Sequence, residues 1–182
     1  MPCSTSLKRP DLNDASGGIS IVRKQTPQRT AQLLNEIFSN FDHITDSLKL
    51  EKIKTIGDAY MLVGGVPIIR EDHAHACMEA AFGMLESMRA FNRRNQVNWS
   101  VRVGMNSGPV VAGIIGTRKF SYDLWGETVN VASRMESHGV PGRIQIPEST
   151  KKLLGDKYAY ESQGLIAIKN AGNVSTFLVR RR

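Results

Sequence analysis

Two cysteines, Cys3 and Cys77, are all that the 182 residues contain. They form no CxxC pair and no spaced framework. That argues against a disulfide-stapled fold and a thiolate metal site, and it suits a reducing compartment. Long hydrophobic runs are also missing. No stretch approaches the roughly 20 apolar residues that a membrane-spanning helix requires. The polar N-terminus lacks the apolar segment of a signal peptide. These absences lead to the expectation of a cytoplasmic chain with no membrane segment, or the cytoplasmic part of a larger protein that is itself anchored. Acidic residues are in deficit, 17 against 24 Lys and Arg, for a net charge of +7. Such an excess suits an anionic partner, nucleic acid or a polyphosphate. The one dense basic run, Arg180-Arg181-Arg182, is terminal and reads as a solvated tail, so no nucleic-acid binding is expected.

What is present describes a globular chain: 41% of residues are hydrophobic and 23% charged, enough for the core of one domain. Residues 1–25 read as an irregular segment interrupted by Pro2, Pro10, Gly17 and Gly18, with only 19–22 strand-like. From Thr26 the pattern becomes regular. Thr26-Pro27 is a helix start, and Leu33, Ile37, Phe38 and Phe41 recur at helical spacing, predicting a helix over 27–47. A hairpin follows, with strands at 50–56 and 60–63 and Asp58 in its turn. The alternation of its first strand is imperfect. A second long helix is expected over 71–95, where His73 and His75 lie two apart, share no helical face and read as solvated. Strands are expected at 99–105 and 110–115, joined through Asn106-Ser107-Gly108, and residues 116–121 read as an irregular arm. A helix over 127–137, a strand at 144–146, a short helix at 148–154 and strands at 158–160, 165–168 and 176–179 complete an α+β arrangement.

Chemistry concentrates at the ends of these elements. Gly57-Asp58 offers a sharp turn that points a carboxylate outward, although a turn Asp is commonly turn chemistry alone. Asn130 and Arg134 are four apart on one helix and face the same way. An amide and a guanidinium fork on one face can grip ribose or phosphoryl oxygens. Two further segments, 104–113 and 164–169, read as structural when taken singly.

Taken together, LLNEIFSNFD at 33–42, EKIKTIGDAYM at 51–61, GPVVAGIIG at 108–116 and YDLWGETVNVASRMES at 122–137 resemble the class III adenylyl/guanylyl cyclase family. The resemblance runs over about residues 26–179 and implies a ferredoxin-like, antiparallel-rich sheet with long helices packed on it. It also implies attack of a ribose 3′-oxygen on the α-phosphorus of a nucleoside triphosphate, with loss of pyrophosphate. In that family two Mg²⁺ or Mn²⁺ ions per site are held by two aspartates. The second aspartate corresponds to Asp58. The base is read by a pair corresponding to Lys54 and Asp123. Adenine offers an acceptor at N1 and a donor at N6, whereas an ammonium only donates and a carboxylate only accepts. Guanine reverses both edges, so Lys54 and Asp123 indicate ATP. Asn130 and Arg134 correspond to the ribose-orienting and transition-state-stabilising residues, and Lys169 to a residue that meets the terminal phosphates. Family sites draw these groups from two subunits. One chain that carries both sets implies a homodimer.

The chain departs from the family at two places. The first metal aspartate should follow an apolar strand, but the stretch before Asp14 is polar and contains Pro10. Asp14 nevertheless lies 44 residues before Asp58, with Gly17 where the motif has glycine. Either Asp14 is a ligand on a degraded strand, or the first strand is missing and the match accidental. Near the end, Ala171 replaces the second lysine of a VKGKG-like segment. The alternatives to an adenylyl cyclase are a cyclase-like dimerisation or nucleotide-binding module without turnover, and a guanylyl cyclase, which Lys54 and Asp123 disfavour.

Overall fold

The computed structural model describes residues 3–8, 26–116, 118, 120–168 and 172–182. Helix α1, Pro27–Ser47, begins where the sequence places it: Thr26 Oγ1 accepts from the Arg29 N–H at 3.2 Å, and proline holds the first position. Its Leu33, Ile37 and Phe41 are buried against helix α2, His73–Asn95. Between them, β2 (Glu51–Ile56) and β3 (Ala59–Gly64) form the hairpin. The chain continues through β4 (Arg102–Ser107), β5 (Val111–Ile115), β6 (Ser121–Trp125) and helix α3 (Glu127–Ser137). Strand β7 (Ile144–Pro147), helix α4 (Glu148–Leu154), β8 (Tyr158–Ile168) and β9 (Gly172–Arg181) follow.

Seven strands form one sheet in the order β2-β3-β1-β4-β7-β9-β8. Its pairs are antiparallel except β4 with β7. Strand β1 is Cys3–Lys8, in the stretch that the sequence reads as irregular. It pairs with β3 on one side and β4 on the other. The reason is a backbone one. A slot one strand wide between β3 and β4 would leave two rows of peptide groups unpaired, and a chain in that slot satisfies both. The strand-like stretch at 19–22 lies outside the described residues.

Strand β5 follows β4 in the chain as expected, but it leaves the main sheet and pairs with β6 as a separate two-stranded arm. Three other expectations are revised. The three short strands at the C-terminal end are two long ones, with a bulge between Ser162 and Gly164 that breaks the alternation. The two histidines are not solvated. His73 is buried, and its ring bonds the Arg70 carbonyl through Nδ1 at 3.1 Å. Burial, only partly offset by that bond, holds its pKa below the usual imidazole value. His75 packs against the Tyr158 ring. The C-terminal arginines also differ from a free tail: Arg181 belongs to β9 and pairs with Glu79 at 3.0 Å.

Helices α1 and α2 cover one face of the sheet, where Val103 and Met105 of β4 join the main core. Helix α3 covers the other face, which receives the alternate residues of β4. Its centre rests on Gly104. A Cβ there would lie 2.1 Å from the Glu136 nitrogen and 2.4 Å from the Ala132 carbonyl oxygen. Both are backbone atoms and cannot swing aside. Gly104→Ala should therefore destabilise the domain by about 3 kcal/mol, read as a lower denaturation midpoint with an unchanged m value.

Candidate active site

The imperfect alternation of the first hairpin strand has a physical cause. The β2–β3 register shifts between Lys52 and Lys54, a bulge that re-aims the following side chain. Lys54 thereby reaches across to β6 and forms an ion pair with Asp123 Oδ2. The other carboxylate oxygen accepts the Leu124 N–H at 2.8 Å. The two side chains are 32% and 19% exposed, so the pair is partly shielded from water. Burial pushes the Asp123 carboxyl up, but the Lys54 ammonium and the Leu124 amide outweigh it and hold the pKa below the usual carboxylate value. Asp123 is therefore ionised at neutral pH.

The pair opens onto a cavity of ≈ 200 Å³ lined also by Met61, Leu124, Val129 and Asn130. Apolar walls with a donor and an acceptor set side by side suit a flat heteroaromatic ring. Asn130 comes from α3. Arg134 lies one turn further along and is exposed, as Asn130 is. Among the described residues the Arg134 guanidinium has no ion-pair or hydrogen-bond partner. The structure thus brings Lys54, Asp123 and Asn130 to one cavity and places Arg134 beyond its edge.

Asp58 stands apart from this group. It sits in the β2–β3 turn, half-buried, after Gly57, whose φ of +59° favours glycine. It borders a different, small cavity with Phe38, Phe41, Met88 and Trp99, on the α1/α2 face of the sheet. Among the described residues no group of three or more His, Cys, Asp or Glu gathers to hold a metal ion. The donor chemistry of Asp58 still fits Mg²⁺, which is commonly held by one or two carboxylates together with substrate phosphates. Asp14 and Lys169 lie outside the described residues, as does the Ala171 departure.

Sequence reasoning passed over one feature next to the site. Arg102 and Glu136 form a largely buried ion pair between β4 and α3, at 3.1 Å. Arg102 alternates with Gly104 and Asn106 along β4, which was the available signal for a shared face.

Comparison with known proteins gives a consistent result. The adenylate and guanylate cyclase catalytic domain family matches residues 13–181. A membrane guanylyl cyclase of Dictyostelium discoideum is 40% identical over 158 residues, covering 87% of this chain and 10% of that protein. An adenylate cyclase of Mycobacterium tuberculosis is 42% identical over 172 residues, 93% of this chain and 38% of the relative. The chain thus spans between a tenth and two-fifths of the length of these curated relatives. The guanylate cyclase domain of RhGC from Catenaria anguillulae, solved with GTP, superposes with a TM-score of 0.89 at 30% identity, covering 100% of this chain and 96% of that one. The motifs, the sheet order and these matches agree: the chain belongs to the adenylate and guanylate cyclase catalytic domain family.

Proposed function

We propose that this domain converts ATP to 3′,5′-cyclic AMP and pyrophosphate as a homodimer with composite sites. The observation that carries the substrate is the Lys54–Asp123 pair at the mouth of the cavity. The Lys54 ammonium donates to adenine N1 and the Asp123 carboxylate accepts from N6. Each keeps further hydrogen-bonding capacity while they bond to one another. Guanine would set donor against donor and acceptor against acceptor, and a buried mismatch of that kind discriminates strongly. Asn130 orients the ribose so that its 3′-oxygen lines up with the α-phosphorus. The new bond joins that oxygen to phosphorus, the bond to pyrophosphate breaks, and the hydroxyl proton passes to solvent water. Arg134 offsets the charge that builds on the phosphoryl oxygens. Asp58, with Asp14 as the second carboxylate, would hold Mg²⁺ or Mn²⁺; the bound ions supply charge neutralisation at the phosphates and a more acidic 3′-hydroxyl. Lys169 would meet the terminal phosphates.

Two observations support a second copy of the chain as the partner. Asp58 and the Lys54 cavity open on opposite faces of one protomer's sheet, so neither forms a whole site. The β5–β6 arm and the hairpin tip expose Ile56, Val111, Ile114, Ile115 and Phe120. A two-stranded arm is marginal alone, and apolar exposure on that scale marks an interface. No helix among the described residues is long and apolar enough to cross a membrane. A nucleoside triphosphate substrate fits the cytoplasm.

The test is turnover. The purified protein is given ATP or GTP with Mn²⁺ or Mg²⁺, and both cyclic products are measured, with Asp58→Ala as the inactive control. Cyclic AMP in excess over cyclic GMP is the expected result. Excess cyclic GMP would overturn the substrate reading, and binding without either product would favour a module without turnover. Lys54→Glu with Asp123→Cys should then move the preference toward GTP by at least about tenfold.

A further inference from the structure

Strand β4 lays every second residue against α3. Arg102 Nε donates to Glu136 Oε1 at 3.1 Å, with side chains 13% and 4% exposed. Two positions on, Gly104 lets the strand and helix backbones touch. Two positions further, Asn106 Nδ2 donates to the Thr128 carbonyl at 3.1 Å. The line of contact therefore runs from Thr128 in the first turn of α3 to Glu136 in the last. Thr128, Ala132 and Glu136 are spaced i, i+4, i+8 and share the inward face. Asn130 and Arg134 fall two residues after Thr128 and Ala132, about 200° around the helix axis, and so point away from the strand.

The contacts differ in kind along this line. At Gly104 the strand offers no side chain, so nothing there keys the helix against rotation. The neighbouring Val131 and Met135 contacts are apolar, and apolar contact is non-directional. Among the described residues, the directional side-chain bonds between β4 and α3 fall at the ends: Asn106 at the first turn, and the shielded guanidinium–carboxylate pair at the last. The last turn also carries Arg134. A buried ion pair adds little stability relative to well-packed apolar side chains of similar volume, and its best-attested use is to fix one register among several.

We propose that Arg102 and Glu136 are positioning residues for the cyclase reaction: their largely buried pair sets the rotation and axial position of α3 and thereby aims Arg134. The proposal rests on the reading of Arg134 given above. Neither residue lines the cavity beside Asn130.

The experiment replaces the pair by apolar side chains, Arg102→Met with Glu136→Leu, in the full chain, and repeats this in an Arg134→Ala background. The expected double variant keeps its thermal midpoint and its KM within about threefold but loses at least about tenfold in kcat. In the Arg134→Ala background the same double change should lower kcat less than about twofold further, because groups acting as one unit are non-additive. Unchanged kcat in a folded double variant overturns the proposal. So does a loss that multiplies with that of Arg134→Ala, which would mark a general structural defect. If the apolar pair does not fold, Arg102→Lys takes its place: it keeps the charge but lacks the planar fork. It should lower kcat with KM unaltered, and a normal kcat there is equally fatal. Full turnover in Arg134→Ala alone sinks the reading of Arg134 and this proposal with it. A large loss in Arg134→Ala beside a normal double variant sinks only the positioning role.

Discussion

Arg134→Ala will lower kcat by about 10²–10³-fold while KM for the nucleotide changes by less than about threefold. The expectation comes from where the guanidinium sits and what it lacks. It is exposed at the last turn of α3, one turn beyond Asn130, and has no partner among the described residues. A fork of five donors with no internal acceptor is free to meet an anion. In the proposed reading, ground-state recognition comes from the Lys54–Asp123 pair and the cavity walls. What remains for Arg134 is the charge that appears on the phosphoryl group as pyrophosphate departs. Preorganised donors aimed at such charge contribute mainly to turnover, and losing one costs about 2.7–4 kcal/mol. Because the side chain is exposed, its removal should leave the thermal midpoint unaltered. Steady-state kinetics decide the matter. A raised KM with unchanged kcat would show uniform binding, and Arg134 would then be a plain phosphate contact.

The parts of the molecule that the sequence reveals well are those governed by local rules. Helices α1 and α3 begin and end at the expected residues because their signals act within a few positions: the Thr26 cap, Pro27 and a helical apolar spacing in α1, and the helical spacing of Thr128, Val131, Ala132 and Met135 in α3. Strands fared less well where their partners are distant or their surroundings unusual. Ser121–Trp125 carries Tyr122 and Asp123 within a motif, and its pairing with β5 lies outside the main sheet, so neither periodicity nor core burial marks it as a strand. Strand β1 has no apolar alternation to display. Its place is set by the unpaired edges of β3 and β4, which come from residues more than fifty positions later. The same division holds at the site. Lys54, Asp123 and Asn130 were legible as residue types within motifs, and the structure brings them to one cavity. The bulge that aims Lys54, and the Arg102–Glu136 pair behind α3, depend on registers between elements and were not legible. The segment carrying Asp14 is outside the described residues, so its metal role rests on spacing and on resemblance.

Asp58→Ala and Arg134→Ala, each nearly silent alone, will recover about one quarter of wild-type activity when the two chains are co-expressed in equal amounts. The figure follows from two-fold symmetry. Random pairing makes about half of the dimers mixed. Each mixed dimer has one site with both substitutions and one with neither, so about a quarter of all sites are intact. The prediction separates two geometries. If Asp58 and Arg134 served the same site from the same chain, every chain in the mixture would be defective and no pairing could repair it. Complementation requires that the groups come from different protomers, as in the proposed composite site. Asp58 borders a cavity on the α1/α2 face, while Lys54, Asp123 and Asn130 line one on the α3 face. The exposed isoleucines and Phe120 of the β5–β6 arm supply the apolar surface that would bring two copies together. Dilution provides an independent readout, because activity per chain should fall once the concentration drops below the dimer dissociation constant. Activity that is independent of concentration, together with a mixture no better than its components, would instead place the whole site within one protomer.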